Sequence, residues 1–135
     1  MPFVYARTVR FAEVDAAQVM YFSRAYEMAH EAFEELMVAA GFGQHESFKD
    51  AKWGMPLVHS EADYKRPWRL GERIHIHAEV VEAGEKSILF EYRFVGDDGQ
   101  QRTRVGMRHA FVSLETFRAR PAPEGIVDAL KAQLS

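Results

Sequence analysis

The chain has 135 residues, 47% apolar and 13% aromatic, with 20 acidic against 17 basic side chains and a formal net charge of −3. That is one domain's worth of chain, expected over residues 1–135, and long enough to remove roughly 68% of its unfolded surface from water. The acidic balance argues against a nucleic-acid partner, and the lack of cysteine excludes a disulfide framework, a thiolate nucleophile and a Cys-ligated zinc.

The N-terminus "MPFVYARTVRF" lacks the basic-then-apolar order of a secretory signal, and nowhere do roughly 18 apolar residues run together, so a cytoplasmic protein with no membrane partner is expected. Val4 to Phe11 alternate loosely and predict a first strand. From Ala25 onward the apolar residues fall at Ala25, Met28, Ala29, Ala32, Phe33, Leu36, Met37 and Ala40. That is the stripe of a helix packed on something broad. Ser23 is its candidate N-cap and Gly41 its stop, giving a predicted helix Ser23–Ala40 with Glu27, Glu31, Glu34 and Glu35 on the solvated side. A short helix is expected around Ser47–Ala51.

The remainder reads as strands. Leu57–Tyr64 leads into Pro67. Ile74, Ile76, Ala78 and Val80 share one face, opposite His75, His77 and Glu79. "EAGEK" is a turn, after which Ile88, Phe90, Tyr92 and Phe94 repeat the period. "GDDGQ" is the strongest hairpin signal, because Gly99 accepts the positive φ such turns need. Val105–Leu114 has a less regular phase, as expected of a bulged strand or one buried on both sides. Beyond Pro121 and Pro123, a short helix is predicted over Glu124–Leu134.

The order is thus one strand, a long helix, then four strands joined in series by tight turns, which imply antiparallel neighbours. A helix of about 27 Å can cover one face of such a sheet, an α+β arrangement. The second face and the two edges invite pairing with another copy.

Asp15 stands just ahead of the apolar "VMYF" that precedes the helix. An acid there is either a turn former or a carboxylate aimed at the anion-friendly end of the helix, and its neighbours leave both readings open. His59 reads, from its neighbours, as a strand histidine bonded to one of them. Trp53, Tyr64 and Trp68 read as core or interface aromatics. Glu31 reads as a solvated glutamate, or as one reaching a partner's site.

Several familiar constellations are missing. His75 and His77 lack further ligands at a recognisable spacing. "HEAFE" lacks the second histidine of a zinc-protease helix, and phosphate-loop and dinucleotide glycine patterns are absent. Ser60 and Ser87 have no flanking glycine elbow.

Two stretches carry a resemblance: "DAAQVMYFSRAYEMAHEAFE", Asp15 to Glu34, and "MPLVHSEADYKRPWRLGERI", Met55 to Ile74. They resemble the hotdog-fold acyl-CoA thioesterases of the 4-hydroxybenzoyl-CoA thioesterase family, and within it most closely the branch acting on 1,4-dihydroxy-2-naphthoyl-CoA. The resemblance implies a five-stranded curved antiparallel sheet wrapped around one long helix. It also implies hydrolysis of an aromatic acyl-CoA, with CoA arriving as part of the substrate and no separate cofactor.

In the same way it implies that Asp15 is the catalytic carboxylate and that the backbone N–H of Phe22, with Tyr21 beside it, polarises the thioester carbonyl. Gln18 stands where the family has glycine, or sometimes histidine, and Glu13 where an aspartate is common. His59 and Ser60 lie in the part most like the naphthoyl-specific branch, which implies, beside the plain strand histidine, a His59 that orients an aryl hydroxyl or lines the acyl pocket. Lys86 is near a position of basic CoA contacts, with Arg69, Arg73, Arg104 and Arg108 as other candidates. A homodimer or homotetramer with the site at a subunit boundary would follow. An acyl-carrier-protein thioesterase and a non-catalytic acyl-CoA-binding module are the alternative readings.

Overall fold

The computed structural model describes residues 3–43 and 52–134, so the helix predicted at Ser47–Ala51 lies outside the described residues. β1 (Phe3–Thr8) runs through a 3-10 turn (Phe11–Glu13) and a loop into α1 (Arg24–Ala39). There follow β2 (Trp53–Gly54), β3 (Leu57–Tyr64), β4 (Arg73–Ala83), β5 (Ser87–Val95), β6 (Gln101–Ala110), β7 (Val112–Ser113) and α2 (Ile126–Leu134).

Five strands form one antiparallel sheet in the order β1-β4-β5-β6-β3, and β2 pairs with β7. The helix stripe is buried as its spacing predicts, from Ala25 through Met28, Ala29, Ala32, Phe33 and Leu36 to Met37. Three of these are alanines, which let the helix axis approach the sheet, while the sheet fills the space with Ile74 and Ile76 of β4, Ile88, Phe90, Tyr92 and Phe94 of β5 and Met107 of β6. Each such large side chain contributes about 1.5–3 kcal/mol on burial. α2 packs on β4 and α1 through Ile126 and Leu130. This is the expected α+β hotdog arrangement, a sheet curled around a central helix.

Four local expectations change. Ser23 is already in the right-handed helical region and its side chain makes no capping bond, so α1 starts through a turn. α2 begins at Ile126, after Gly125 at φ +84°. β3 and β4 are adjacent in sequence but lie at opposite parts of the sheet, because the segment around Pro67 crosses over instead of turning back. The predicted strand Val105–Leu114 has an irregular phase because the chain leaves the five-stranded sheet after Ala110, where β6 ends, and Val112–Ser113 pair with β2. Thr103, Val105, Met107 and His109 face α1, and Gly106 is buried on the other side, where an added Cβ would stand 3.3 and 3.4 Å from the Arg104 and Glu61 side chains. Gly41 and Gly99 take the positive φ expected of a helix stop and a hairpin turn, +90° and +80°.

Candidate active site

The loop between the 3-10 turn and α1 folds on itself. Val14 bridges Met20, the Asp15 N–H donates to the Val19 carbonyl at 2.9 Å, and the Gln18 N–H donates to the Asp15 carbonyl at 2.8 Å. Closing so tight a turn forces Gln18 to φ +62°, a conformation that L side chains disfavour and glycine accepts freely. The Asp15 side chain completes the turn, its Oδ1 accepting from the N–H groups of Ala17 at 2.8 Å and Val19 at 3.4 Å. Asp15 is nonetheless solvent-exposed, and Oδ2 makes no hydrogen bond to any described residue. One oxygen holds the carboxylate in place and the other is presented.

The buried indole of Trp68 anchors this loop to the sheet. Its Nε1–H donates to Thr103 Oγ1 at 3.0 Å, the Arg102 guanidinium lies over its ring at 4.3 Å, and its carbonyl receives the Met20 N–H at 2.7 Å. Val19 bridges Arg69, and the Leu70 N–H donates to the Gln18 carbonyl at 3.3 Å. On the other side Arg7, largely buried, pairs with Glu13 and reaches both oxygens of Glu31 at 2.8 Å. Burial opposes the charge on Arg7, but its bonds and proximity to Glu31 and Glu13 outweigh this and raise its pKa. Glu13 also accepts the Arg10 N–H at 2.9 Å.

At the entry to α1 the backbone donors are unequally used. The Tyr21 N–H donates to the Glu13 carbonyl at 2.9 Å, and the Arg24 N–H donates to the Tyr21 carbonyl at 3.0 Å. The second bond turns the peptide between Tyr21 and Phe22 so that its carbonyl points into the helix and the Phe22 N–H points away from it. No described residue accepts from the N–H of Phe22 or of Ser23. The next peptide is held by the Tyr64 hydroxyl, which donates to the Phe22 carbonyl at 2.5 Å. Partial burial raises the Tyr64 pKa, so it stays protonated and keeps donating. Two free donors at the positive end of a 16-residue helix can receive a developing negative charge.

The loop and the entry to α1 therefore carry Asp15, Gln18, Tyr21 and Phe22 within one folded segment. The Tyr21 amide is occupied, leaving the Phe22 and Ser23 N–H groups as the available donors. Met20, Phe22, Tyr64, Lys65, Arg66 and Trp68 line a cavity of about 290 Å³ beside it. Lys65 and Arg66 are cations that sequence spacing does not single out, since only the crossover of the chain at Pro67 brings them to Phe22. His59 and Ser60 lie on β3 at the sheet edge. Ser60 is on the face towards α1, opposite Met107, while His59 is on the outer face, opposite Arg108 and 3.9 Å from Glu61. Lys86 caps the β4–β5 hairpin, at the far end of an 11-residue strand from Arg73. That is about 30 Å from the loop side of the sheet, so one protomer does not bring it to Asp15. Among the described residues no three His, Asp or Glu side chains are grouped to hold a metal ion, and His75 pairs with Asp97 at 2.8 Å.

The family model described as "Thioesterase-like superfamily" matches residues 9–130. The chain belongs to the thioesterase-like superfamily. It is 38% identical over 131 residues to a 1,4-dihydroxy-2-naphthoyl-CoA hydrolase of Nostoc punctiforme, a match covering 97% of this chain and 88% of that protein. It is 30% identical to the hydrolase of the same description in Rippkaea orientalis, over 95% of this chain and 94% of that one. Its fold is similar to the crystal structure of a 1,4-dihydroxy-2-naphthoyl-CoA thioesterase from Synechocystis, with a TM-score of 0.90 at 24% identity, over 97% of this chain and 96% of that one. Asp15, Phe22 and the loop between them lie within the matched residues.

Proposed function

We propose that the protein is an acyl-CoA thioesterase that hydrolyses an aromatic acyl-CoA, of the 1,4-dihydroxy-2-naphthoyl or 4-hydroxybenzoyl type, to the free acid and CoA. The observation that carries this reading is the pairing of an unbonded Phe22 N–H at the start of α1 with a fixed carboxylate on the loop that delivers it. The names of the relatives support the acyl class. The thioester oxygen accepts from the Phe22 N–H, and attack at the carbonyl carbon moves negative charge onto that oxygen, where a preoriented donor contributes about 2.7–4 kcal/mol. Asp15 Oδ2 either attacks the carbon itself or takes the proton of an attacking water. In both routes the C–S bond breaks, CoA leaves as the thiolate and is protonated, and a water oxygen enters the products.

A second copy is part of this reading. β3 is an edge strand with seven of its eight residues exposed, and antiparallel pairing with another β3 would lay the partner's Met55–Ser60 end beside Tyr64 and Phe22. His59 and Lys86 would then approach the site from the neighbouring protomer. Lys65 and Arg66, at the mouth of the Phe22 cavity, are suited to phosphate groups of CoA.

The test is thiol release from 1,4-dihydroxy-2-naphthoyl-, 4-hydroxybenzoyl-, phenylacetyl- and aliphatic acyl-CoAs, comparing the protein with Asp15→Asn. Asparagine keeps the oxygen that accepts from Ala17 and Val19, so the turn survives while the carboxylate is lost. A preference for an aryl-CoA and a fall in kcat of about 100-fold or more in the variant are expected. No release from any of the thioesters, or full activity in Asp15→Asn, would sink the proposal.

A further inference from the structure

Away from Asp15, a second cavity of about 350 Å³ opens between α1 and the β3–β6 edge, lined by His30, Phe33, Met55, Leu57, His109 and Leu114. Its size lies within the roughly 300–1,000 Å³ of small-molecule sites, and its wall is apolar apart from two imidazoles. His109 is buried, its ring stacked 4.7 Å from Phe33 at 13° and edge-on to Phe90 at 5.8 Å. Its Nδ1 lies 2.9 Å from the Met55 carbonyl oxygen. A carbonyl oxygen can only accept, so Nδ1 carries the proton. Burial favours the neutral ring, and the charge of nearby His30 acts in the same direction, against the opposing pull of the Met55 bond. A neutral ring protonated on Nδ1 has a lone pair on Nε2. That nitrogen is buried and makes no hydrogen bond to any described residue.

Burying an imidazole acceptor with nothing to accept from is unfavourable unless something arrives to bond it. The arriving group must be a donor, so a hydroxyl fits and a carboxylate does not. Its carrier must be flat and apolar to lie among Phe33, Leu57 and Leu114. His30 is eight residues on from Phe22, about 12 Å at helical rise, which is about the span of a thioester oxygen bonded to the amide, the aryl ring that carries the thioester, and a bonded hydroxyl on the side of that ring away from it. We propose that this cavity receives the aryl part of the substrate and that His109 Nε2 accepts a hydrogen bond from a ring hydroxyl, making His109 the residue that selects hydroxylated aromatic acyl groups. The assignment deepens the thioesterase reading and rests on it for the identity of the ligand.

Two measurements test it together. The first is the ratio of kcat/KM for 1,4-dihydroxy-2-naphthoyl-CoA to that for 2-naphthoyl-CoA, in the unsubstituted protein and in His109→Phe. The second is the nitrogen NMR signal of the His109 ring in the unsubstituted protein, titrated with 1,4-dihydroxy-2-naphthoate and with 2-naphthoate. A ratio of about tenfold or more that falls to within about twofold in the variant is expected, with Nε2 moving on addition of the hydroxylated acid alone. A ratio unchanged in a folded variant, or an Nε2 signal that answers both acids alike or neither, overturns the inference. Should His109→Phe fail to fold, the nitrogen signal decides. Should neither thioester be hydrolysed by the unsubstituted protein, the thioesterase reading falls, and the free-acid titration judges the pocket by itself.

Discussion

Gln18 occupies a backbone conformation that its own side chain disfavours. At φ +62° a non-glycine residue costs about 1–2 kcal/mol, of which glycine's larger unfolded-state entropy would offset about 0.5–1. Gln18→Gly is therefore expected to stabilise the protein by about 0.5–1 kcal/mol, roughly 2–4 °C in Tm, and a thermal melt showing no rise would mean that the Gln18 side chain makes up the difference. His109 gives a second prediction at this scale. Its pKa is lowered by burial, so below about pH 6.5 the unfolded chain takes up a proton that the folded chain refuses. Stability is then full above that pH and falls as pH drops below it, by up to about 1.4 kcal/mol per pH unit until His109 itself titrates. Urea unfolding between pH 7.5 and 5 should show this slope, and His109→Gln should reduce it, leaving the part that comes from His77, whose pKa burial also lowers. Of these two residues only the first is legible in the sequence, because a glycine position filled by glutamine shows in the motif. The importance of His109 depends on a carbonyl 54 residues away, which no local pattern in "RVGMRHAF" indicates.

The site is a property of three elements held together, the 3-10 turn, the loop from Val14 to Met20 and the first turn of α1. Arg7 of β1 joins them, because Glu13 is held by Arg7 and its carbonyl in turn occupies the Tyr21 N–H. Arg7→Met leaves Glu13 and Glu31 facing each other with no cation between them, an expected loss of about 2 kcal/mol. The expected catalytic signature is a fall in kcat of roughly tenfold with KM within about twofold, since the Phe22 amide would lose orientation and not substrate contacts. Equal losses in kcat/KM through KM alone would assign Arg7 to binding. Helix α1 is legible in the sequence because its alanine-rich stripe repeats over four turns. The crossover after β3 is not, because its connection carries an ordinary turn composition and only the sheet order shows that Pro67 and Trp68 pass under the Asp15 loop. The same crossover explains why Lys65 and Arg66, and not Lys86, border Phe22 within one protomer.

At the scale of the whole molecule, no described residue pairs with the outer edge of the eight-residue strand β3, and Val58 is 58% and Tyr64 43% exposed. Unpaired edges of that length, about 26 Å, recruit partners unless charge or proline blocks them. Here the block is weak. Glu61 and Asp63 are drawn back to Arg104, at 3.6 and 2.9 Å, which leaves their charges partly neutralised and the backbone of β3 accessible. Pairing of two β3 strands would create one continuous ten-stranded sheet and complete the aryl cavity, whose rim at Leu57 lies on the same edge. Val58→Glu places like charges across such a pairing, where they repel, while its exposure means that the protomer itself should lose within about 0.5 kcal/mol. Light scattering is expected to show a dimer or a larger even assembly for the unsubstituted protein and a shift to monomer for the variant. Thiol release should fall with the fraction assembled and return at high protein concentration, because mass action restores the pairing. A fully active Val58→Glu monomer would place the whole site within one chain and remove the partner from the mechanism.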